Sequence, residues 1–406
     1  MIAIVLLSPL VREVAAGVAG LLCLTAIGYY TLALQSARGF FQQRPRGPRA
    51  LRLPISILKP VCGLDRGAYE NFASFCRQNY PEFQILFGCE NEGDPGLAVA
   101  RQIAHDFPRL DIRIVVYRGP ETPNPKVSLL AAMAAEAKHP LLLVSDSDIR
   151  VGPMHLRHLV EPMADARVAV VTCLYRSEAE GFAACFDALG LSTEFQPSVL
   201  VARMLEGISF GMGSGILVRR TALAEAGGFA AIAGYLADDY LLGNLPVRAG
   251  HRAELATDVV QHELGTTTLG GAVDHQIRWN RGIRAMRPRG YAGLVFTQGT
   301  PAALALVALA SESPAAWTLA GITLALRLGV AWFVAVRCLR DLVARRAFWL
   351  VPLRDVAGFA LWIAGFFGNS VTWRGKKLYL EAGGRIAARP EAAEEEARET
   401  RTGVAS

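Results

Sequence analysis

Residues 141–150 read LLLVSDSDIR. Four uninterrupted aliphatic residues are what a strand buried on both faces requires, and Asp146 and Asp148 then emerge at its carboxyl end. In open α/β sheets ligands gather beyond the carboxyl ends of the strands, so this run points both to a fold class and to the place where chemistry belongs. Working outward, Leu53–Leu58, Phe83–Cys89, Asp111–Tyr117 and Val168–Cys173 are further short apolar runs, with helical stretches between most of them. The expected fold is α/β around a mainly parallel sheet. Lys59 and Pro60, Glu90 to Glu92, and Asp146 to Asp148 would stand beyond its strands. No internal repeat and no GxGxxG is present.

The surrounding composition is too apolar for an ordinary soluble domain. Of 406 residues 52% are hydrophobic and only 19% charged, where soluble domains sit near a quarter. Disorder is excluded, and part of the chain belongs in lipid. The balance of 42 basic against 36 acidic residues, +6 in all, gives no reason to expect nucleic acid as a partner. Seven scattered cysteines with no CxxC indicate neither a disulfide framework nor a zinc site, and fit a reducing cytosolic setting.

Val14 to Leu34 has no charge and no proline, long enough to cross a hydrocarbon core of about 30 Å. It lacks the frame of a cleaved signal peptide, so an uncleaved anchor is expected. Arg38, Arg44, Arg46, Arg49 and Arg52 follow with no acid among them, which by the positive-inside bias puts that side in the cytosol. Near the other end, Leu294–Ala310 and Ala315–Val336, the latter interrupted by Arg327, could go out and back ahead of the arginine-rich Arg337–Arg346 loop. Val356–Val371 is borderline. A crossing there would carry Arg374, Lys376 and Lys377 outside, whereas a re-entrant or interfacial hairpin with Arg354 and Asp355 near the surface would not; the sequence leaves both open. Glu391–Arg401 is acidic, alanine-rich and expected to be disordered. The expected organisation is an anchor and basic linker (1–52), a cytosolic catalytic domain (53–290), transmembrane or interfacial segments (291–380) and a tail (381–406), in a multi-pass protein of the cytoplasmic membrane.

Within 53–290 three acidic or basic clusters stand out. Asp146 and Asp148 suit a hard divalent cation that also holds a diphosphate, although a polar turn capping a helix at Gly152–Val160 would need only one Asp. Asp238 and Asp239 in GYLADDYLLG would open a helix; one explains itself as a cap, which frees the other for general-base work. HQIRWNRGIRAMRPRG places Arg278, Arg281, Arg284, Arg287 and Arg289 with Trp279 in a cationic amphipathic stretch. It reads either as a membrane-surface helix meeting anionic headgroups or as an Arg-Trp pair beside a leaving diphosphate. Lys126 in NPKVSLL is the kind of loop lysine that is usually solvated. FQPSVLVARMLEGISF, ending at Phe210, is an interfacial helix, a groove wall, or a core helix.

Taken in order, the anchor, ISILKPVCGLD, NPK, DSDIRVG, LADDY, HQIRW and an apolar tail with WRGKKLYL resemble the ceramide glucosyltransferase family, a membrane branch of the inverting family 2 type glycosyltransferases with a GT-A-like fold. SFCRQNYP, CLYR, PSVLVAR and LADDY look most like bacterial hopanoid-associated glycosyltransferases. The resemblance implies transfer of a sugar from a UDP-sugar to a membrane lipid hydroxyl, of a hopanoid such as bacteriohopanetetrol or of ceramide, with Mg2+ or Mn2+ as cofactor. It maps the nucleotide site onto Glu90, Asn91, Lys126 and Asp146, with Asn91 where the family has an acid. It maps the metal onto Asp146 and Asp148, the base onto Asp239, and the Arg-Trp pair onto Arg278 and Trp279, with His275 replacing the usual Gln or Arg. A non-catalytic nucleotide-sugar or lipid binder and a polysaccharide synthase are the alternative readings; a transporter is disfavoured by the few confident spans.

Overall fold

A computed structural model describes residues 8–42, 52–120 and 122–387. Arg44, Arg46 and Arg49 of the basic linker and the Glu391–Arg401 tail lie outside the described residues. Helix α1 (Pro9–Phe41) leads into β1 (Ile55–Pro60), β2 (Phe83–Cys89), β3 (Asp111–Val116) and β4 (Leu141–Val144), joined by α2 (Ala68–Cys76), α3 (Pro95–Asp106) and α4 (Pro125–Glu136). These four strands run parallel in the order β3-β2-β1-β4. The chain winds outward from β1 and then returns to its other flank with β4, so a topological switch lies between the ends of β1 and β4, where ligands bind in such sheets.

Beyond β4 the order continues β7-β6-β8-β5. Here β5 is Ile149–Arg150, β6 Val168–Ala179, β7 Ile216–Arg219 and β8 Arg252–Gly265. β7 is antiparallel to both neighbours, β6 and β8 are parallel, and β5 closes the edge antiparallel. The expected α/β class is therefore correct, with a mixed second half. β7, ILVR, is an apolar run outside the five expected strands, whereas β5 and β8 do not follow from apolar runs: β8 reads RAELATDVVQHELG, and its pairing with β6 is shifted by irregularities, one between Cys173 and Leu174, so its alternation is broken.

Helices α5 (His155–Val160), α6 (Phe182–Gly190), α7 (Gln196–Leu205), α8 (Arg220–Glu225), α9 (Asp238–Arg248), α10 (Leu269–Met286) and α11 (Pro288–Gly293) complete the α/β part. α6 and α7 are joined by a π segment, Leu191–Phe195. PSVLVAR lies in α7, which packs on α1 with Val199 and Leu200 buried while Met204 and Leu205 at its end are exposed.

The apolar elements are α1, α12 (Gly299–Leu309), α13 (Pro314–Ala331), the short α14 (Leu342–Arg346) and α15 (Val351–Gly365). Pro9–Phe41, Pro314–Cys338 and Phe348–Gly365 are long and apolar enough to cross a membrane, and Pro288–Thr297 with Gly299–Leu309 forms a pair bent by 54°. Ala19, Cys23, Ala302, Ala303, Ala316 and Ala320 are buried where α1, α12 and α13 meet. Small residues let apolar helices approach closely, which is how association is driven where lipid supplies no hydrophobic force.

One expectation about this region changes. Arg327 does not interrupt its helix: it is 5% exposed and forms a bidentate pair with Asp355 at 2.6 and 2.9 Å. Arg354 and Asp355, 4% and 7% exposed, are buried within the protein. The last apolar segment is flanked by contacts with the α/β part. Before α15, Arg176 donates to the Leu339 carbonyl at 3.2 Å and Ser192 donates to Asp341; after it, Arg281 and Arg284 donate to carbonyls of Phe366 to Ser370. The strands β9 (Ser370–Trp373), β10 (Lys376–Leu380) and β11 (Ile386–Ala387) then bring Arg374 to 2.9 Å from Glu90. Residues on either side of α15 thus touch the α/β part, and the strands that carry Arg374, Lys376 and Lys377 follow directly after it. Through these bonds Arg281 and Arg284 satisfy carbonyls of the turn that follows α15.

Candidate active site

Asp146 follows β4 directly. Its amide donates to the Gly213 carbonyl at 3.2 Å and its own carbonyl accepts from Lys59 Nζ at 2.7 Å. Lys59, at the end of β1, has no exposed surface and its ammonium stands 4.0 Å above the Phe75 ring; burial lowers its pKa to about 7 against the pull of Asp148 and Asp146. These bonds fix the backbone of the DSD turn across the β1–β4 switch.

Lys126 sits in the first turn of α4. Asn124 caps that helix by accepting from Val127 N at 3.3 Å, and its amide donates to the Tyr235 carbonyl at 2.7 Å, which ties NPK to the loop ahead of LADDY. Lys126 Nζ is thereby placed 2.7 Å from Asp146 Oδ1 and 3.2 Å from Asp238 Oδ2. The expectation of a solvated lysine is wrong, because a loop lysine is free only until tertiary structure surrounds it with acids. Burial works to lower its pKa, but Asp146 and Asp238 outweigh this and hold it above the usual lysine value.

Neither acidic pair caps a helix. α5 has Met154 at its N-cap and α9 has Ala237, both without a side-chain cap bond. Asp238 pairs with Lys126, while among the described residues Asp239 Oδ1 accepts from the adjacent Tyr240 amide at 2.7 Å. Burial, and then the charge of Asp238, push the Asp239 carboxyl up to about 6. Asp146 is also raised, by burial first and by Asp148. Asp148 is held low: burial opposes this, but His262, whose Nε2 lies 3.3 Å away, prevails. His262 is set in turn by Ser177 at 3.0 Å. A Cβ placed on Gly213 would lie 2.6 Å from Asp146 Oδ2 and 3.8 Å from Asp239 Oδ2. The two carboxylates therefore border one hollow that glycine leaves open.

α10 forms another wall. Asp187 on α6, 3% exposed, accepts from Gln276 and stands 2.8 Å from His275 Nδ1. This orients HQIRW so that Trp279 meets Phe195 with centroids 5.7 Å apart and His275 at 5.1 Å. His275 thus serves as a clamp on Asp187. Arg278 has no ion pair among the described residues; burial lowers its pKa, offset by the charges of Asp239 and Asp187.

Glu90 and Asn91 stand apart on the exposed rim after β2. Asn91 Oδ1 accepts from Gly93 N at 2.9 Å and Glu90 pairs with Arg374. Of the residues singled out, Asp146, Asp148, Lys126 and Asp239 are gathered at the carboxyl edge with Arg278 and Trp279 on the adjoining helix. Lys59, His262, Asp187 and Gly213 belong to the same constellation and were not singled out as site residues. Lys59 at a strand end was the available signal; the others are spoken for only by contacts distant in sequence.

No trio of metal-binding side chains occurs among the described residues. Asp146 and Asp148 nevertheless fit a hard divalent cation that draws its remaining ligands from phosphate and water: Asp148 Oδ1 is buried with no hydrogen-bond partner.

The sequence profile of glycosyl transferase family 21 matches residues 18–386. Ceramide glucosyltransferase 1 of Caenorhabditis elegans is 28% identical over 236 residues, 58% of this chain and 50% of that protein. The ceramide glucosyltransferase of Komagataella phaffii is 32% identical over 143 residues, 32% of this chain and 28% of that protein. The chain spans about half the length, or less, of these curated relatives. In three dimensions it is similar to a mannosyltransferase of Pyrobaculum calidifontis solved with GDP-Man and Mn2+, at 18% identity with a TM-score of 0.52, covering 87% of this chain and 97% of that one. That likeness is one of fold, and the fold is GT-A-like. With the profile match running through the sheet, the acidic hollow and the apolar helices alike, the chain belongs to glycosyl transferase family 21.

Proposed function

We propose that this protein is a membrane-bound inverting glycosyltransferase that moves a sugar from a UDP-sugar to the hydroxyl of an amphiphilic lipid such as ceramide or a hydroxylated hopanoid. The observation that carries the reading is the shared hollow of Asp146 and Asp239 at Gly213. In this reading residues 53–290 are the cytosolic catalytic domain, preceded by an anchor and linker (1–52) and followed by membrane and interfacial segments (291–380) and a tail (381–406), in the cytoplasmic membrane.

Asp239 takes the proton of the lipid hydroxyl; the oxygen attacks the anomeric carbon from the face opposite the diphosphate, that C–O bond breaks, and configuration inverts. A carboxyl near 6 is ionised at neutral pH yet basic enough for this task. Arg278 and Lys126 oppose the charge left on the departing UDP, and fixed charges of this kind are commonly the largest catalytic contribution. A divalent cation held by Asp146 and Asp148 would neutralise diphosphate charge in the same way. Glu90 and Asn91 would face the nucleoside. The membrane elements serve the acceptor, because each CH₂ drawn into water costs about 0.8 kcal/mol. The test is UDP release by the purified protein in detergent, with UDP-glucose, UDP-galactose or UDP-N-acetylglucosamine and with or without ceramide. Release that depends on the lipid is expected, and lipid-independent or absent release with every acceptor tried would remove the proposal.

A further inference from the structure

WRGKKLYL, the motif that closes the apolar tail, has no part in the transfer as proposed. It forms the end of β9, the whole of β10 and the turn between them. Trp373 pairs with Lys376 across that turn, so the loop is two residues, Arg374 and Gly375, with φ of 48° and 75°. Two-residue hairpins with positive φ at both positions are type I′ turns, whose first position favours Asn, Asp or Gly. A long side chain is strained there, so the turn by itself gives no reason for arginine. Strain that is kept in this way points from the backbone to a use for the side chain.

The hairpin joins three parts that a donor would touch. Ile386 N donates to the Gly234 carbonyl at 2.8 Å and Leu236 N to the Gly384 carbonyl at 3.4 Å, which ties β11 to LADDY. Gly383 N donates to the Ala285 carbonyl at 2.9 Å, and Val371, Leu380 and Ile386 pack with Leu236 and Ala285, so the same small sheet rests on α10. Its turn reaches the rim after β2. Arg374 Nη1 donates to Glu90 Oε1 at 2.9 Å, and the guanidinium carbon stands 5.1 Å from the Trp373 ring centre, a cation–π contact that fixes its direction. The two side chains, 29% and 37% exposed, remain open to a ligand arriving from solvent.

A guanidinium held beside a carboxylate sets a donor next to an acceptor. With ribose and diphosphate fixing the ring, uracil presents a carbonyl at position 4 and an N–H at position 3, whereas cytosine presents an amino group and a bare nitrogen and so reverses both contacts. Resting on the proposed UDP-sugar donor, with Glu90 facing the nucleoside, we infer that Arg374 is a specificity-determining residue of the donor site. Glu90 accepts from the ring N–H of uracil, and Arg374 donates to the neighbouring carbonyl while its contact with Glu90 holds the carboxylate in place.

The test is calorimetric binding of UDP and of CDP, with Mn2+ present, to the full chain in detergent, which needs no acceptor lipid. Wild type is expected to prefer UDP by about tenfold or more, as reversal of two polar contacts implies. Arg374→Asn suits a type I′ turn better than arginine does, so the melting temperature should not fall. Its UDP affinity should nevertheless drop about tenfold, the effect of one lost charge-assisted hydrogen bond, and its preference over CDP should shrink towards unity. Glu90→Gln, outside the turn, should lose the preference too, because an amide can present either its oxygen or its NH₂ to the base. In turnover the loss should appear as a higher KM for the UDP-sugar. UDP affinity and UDP-over-CDP preference within about twofold of wild type in both variants, or equal binding of UDP and CDP by wild type, would overturn the assignment. Selective UDP binding that both variants lose, in a protein that glycosylates no lipid, would instead remove the proposed transfer and leave Arg374 in this role.

Discussion

Lys126 and Asp146 come from different helix and strand ends and meet at 2.7 Å, with Asp238 on the same ammonium at 3.2 Å. One cation thus occupies the ground between the DSD turn and LADDY, where a diphosphate and its counter-ions would have to be accommodated. It lies between two neighbouring carboxylates and leaves Asp239 without a cationic partner within bonding distance among the described residues.

Asp239→Asn should lower kcat by about 10²–10⁴, the span that general-base assistance usually contributes, while UDP affinity measured by calorimetry stays within about twofold. Wild-type turnover in this variant would exclude Asp239 as the base.

The elevated Asp239 carboxyl sets a pH dependence. The base works when deprotonated, so kcat/KM should be level above about pH 6 and fall about tenfold per unit below it. Asp238 contributes to that elevation by repulsion, so Asp238→Asn should move the acid limb to lower pH. An unmoved limb would show that another group controls it.

At Gly213 an added Cβ would press within 2.6 Å of Asp146 Oδ2. Gly213→Ala is expected to weaken metal-dependent UDP binding about tenfold, the scale of one misplaced charged contact, with the melting temperature little altered. Asp146→Ala should do the same more severely. Metal titrations that match wild type in both variants would count against a cation at Asp146.

Removing one partner of the Arg327–Asp355 pair strands the other in a buried site, so Arg327→Ala or Asp355→Ala should cost about 3–5 kcal/mol of stability. The double change Arg327→Met with Asp355→Leu should recover most of it, read as the midpoint of thermal unfolding in detergent. A single change that leaves the midpoint unmoved would show the pair to be dispensable.

Much of this site is legible in the chain because strand ends carry their own signal: a run such as LLLV can only be buried, and the residues after it must surface at the sheet's carboxyl edge. Asp146 and Asp148 follow from that, and Asp239 from its place at the start of a helix. Lys126 was located by its motif but misjudged in setting, since nothing local states that two acids will enclose it. Asn91 and Glu90 surface as expected, at the rim, and away from the acidic hollow. His262 and Asp187 carry no local mark: β8 lacks a clean alternation, and a single aspartate in FAACFDALG resembles any helix residue.

By itself the sequence determined what periodicity and burial can encode within one segment: the α/β class, apolar stretches of membrane length, and acids at strand ends. Only the tertiary structure decided which charges neutralise one another, that Arg327 and Asp355 form an internal pair, and that glycine at 213 leaves room between two carboxylates. The physical reason is that electrostatic partnership and open space depend on distances between residues far apart along the chain, whereas hydrophobic pattern is written in neighbours.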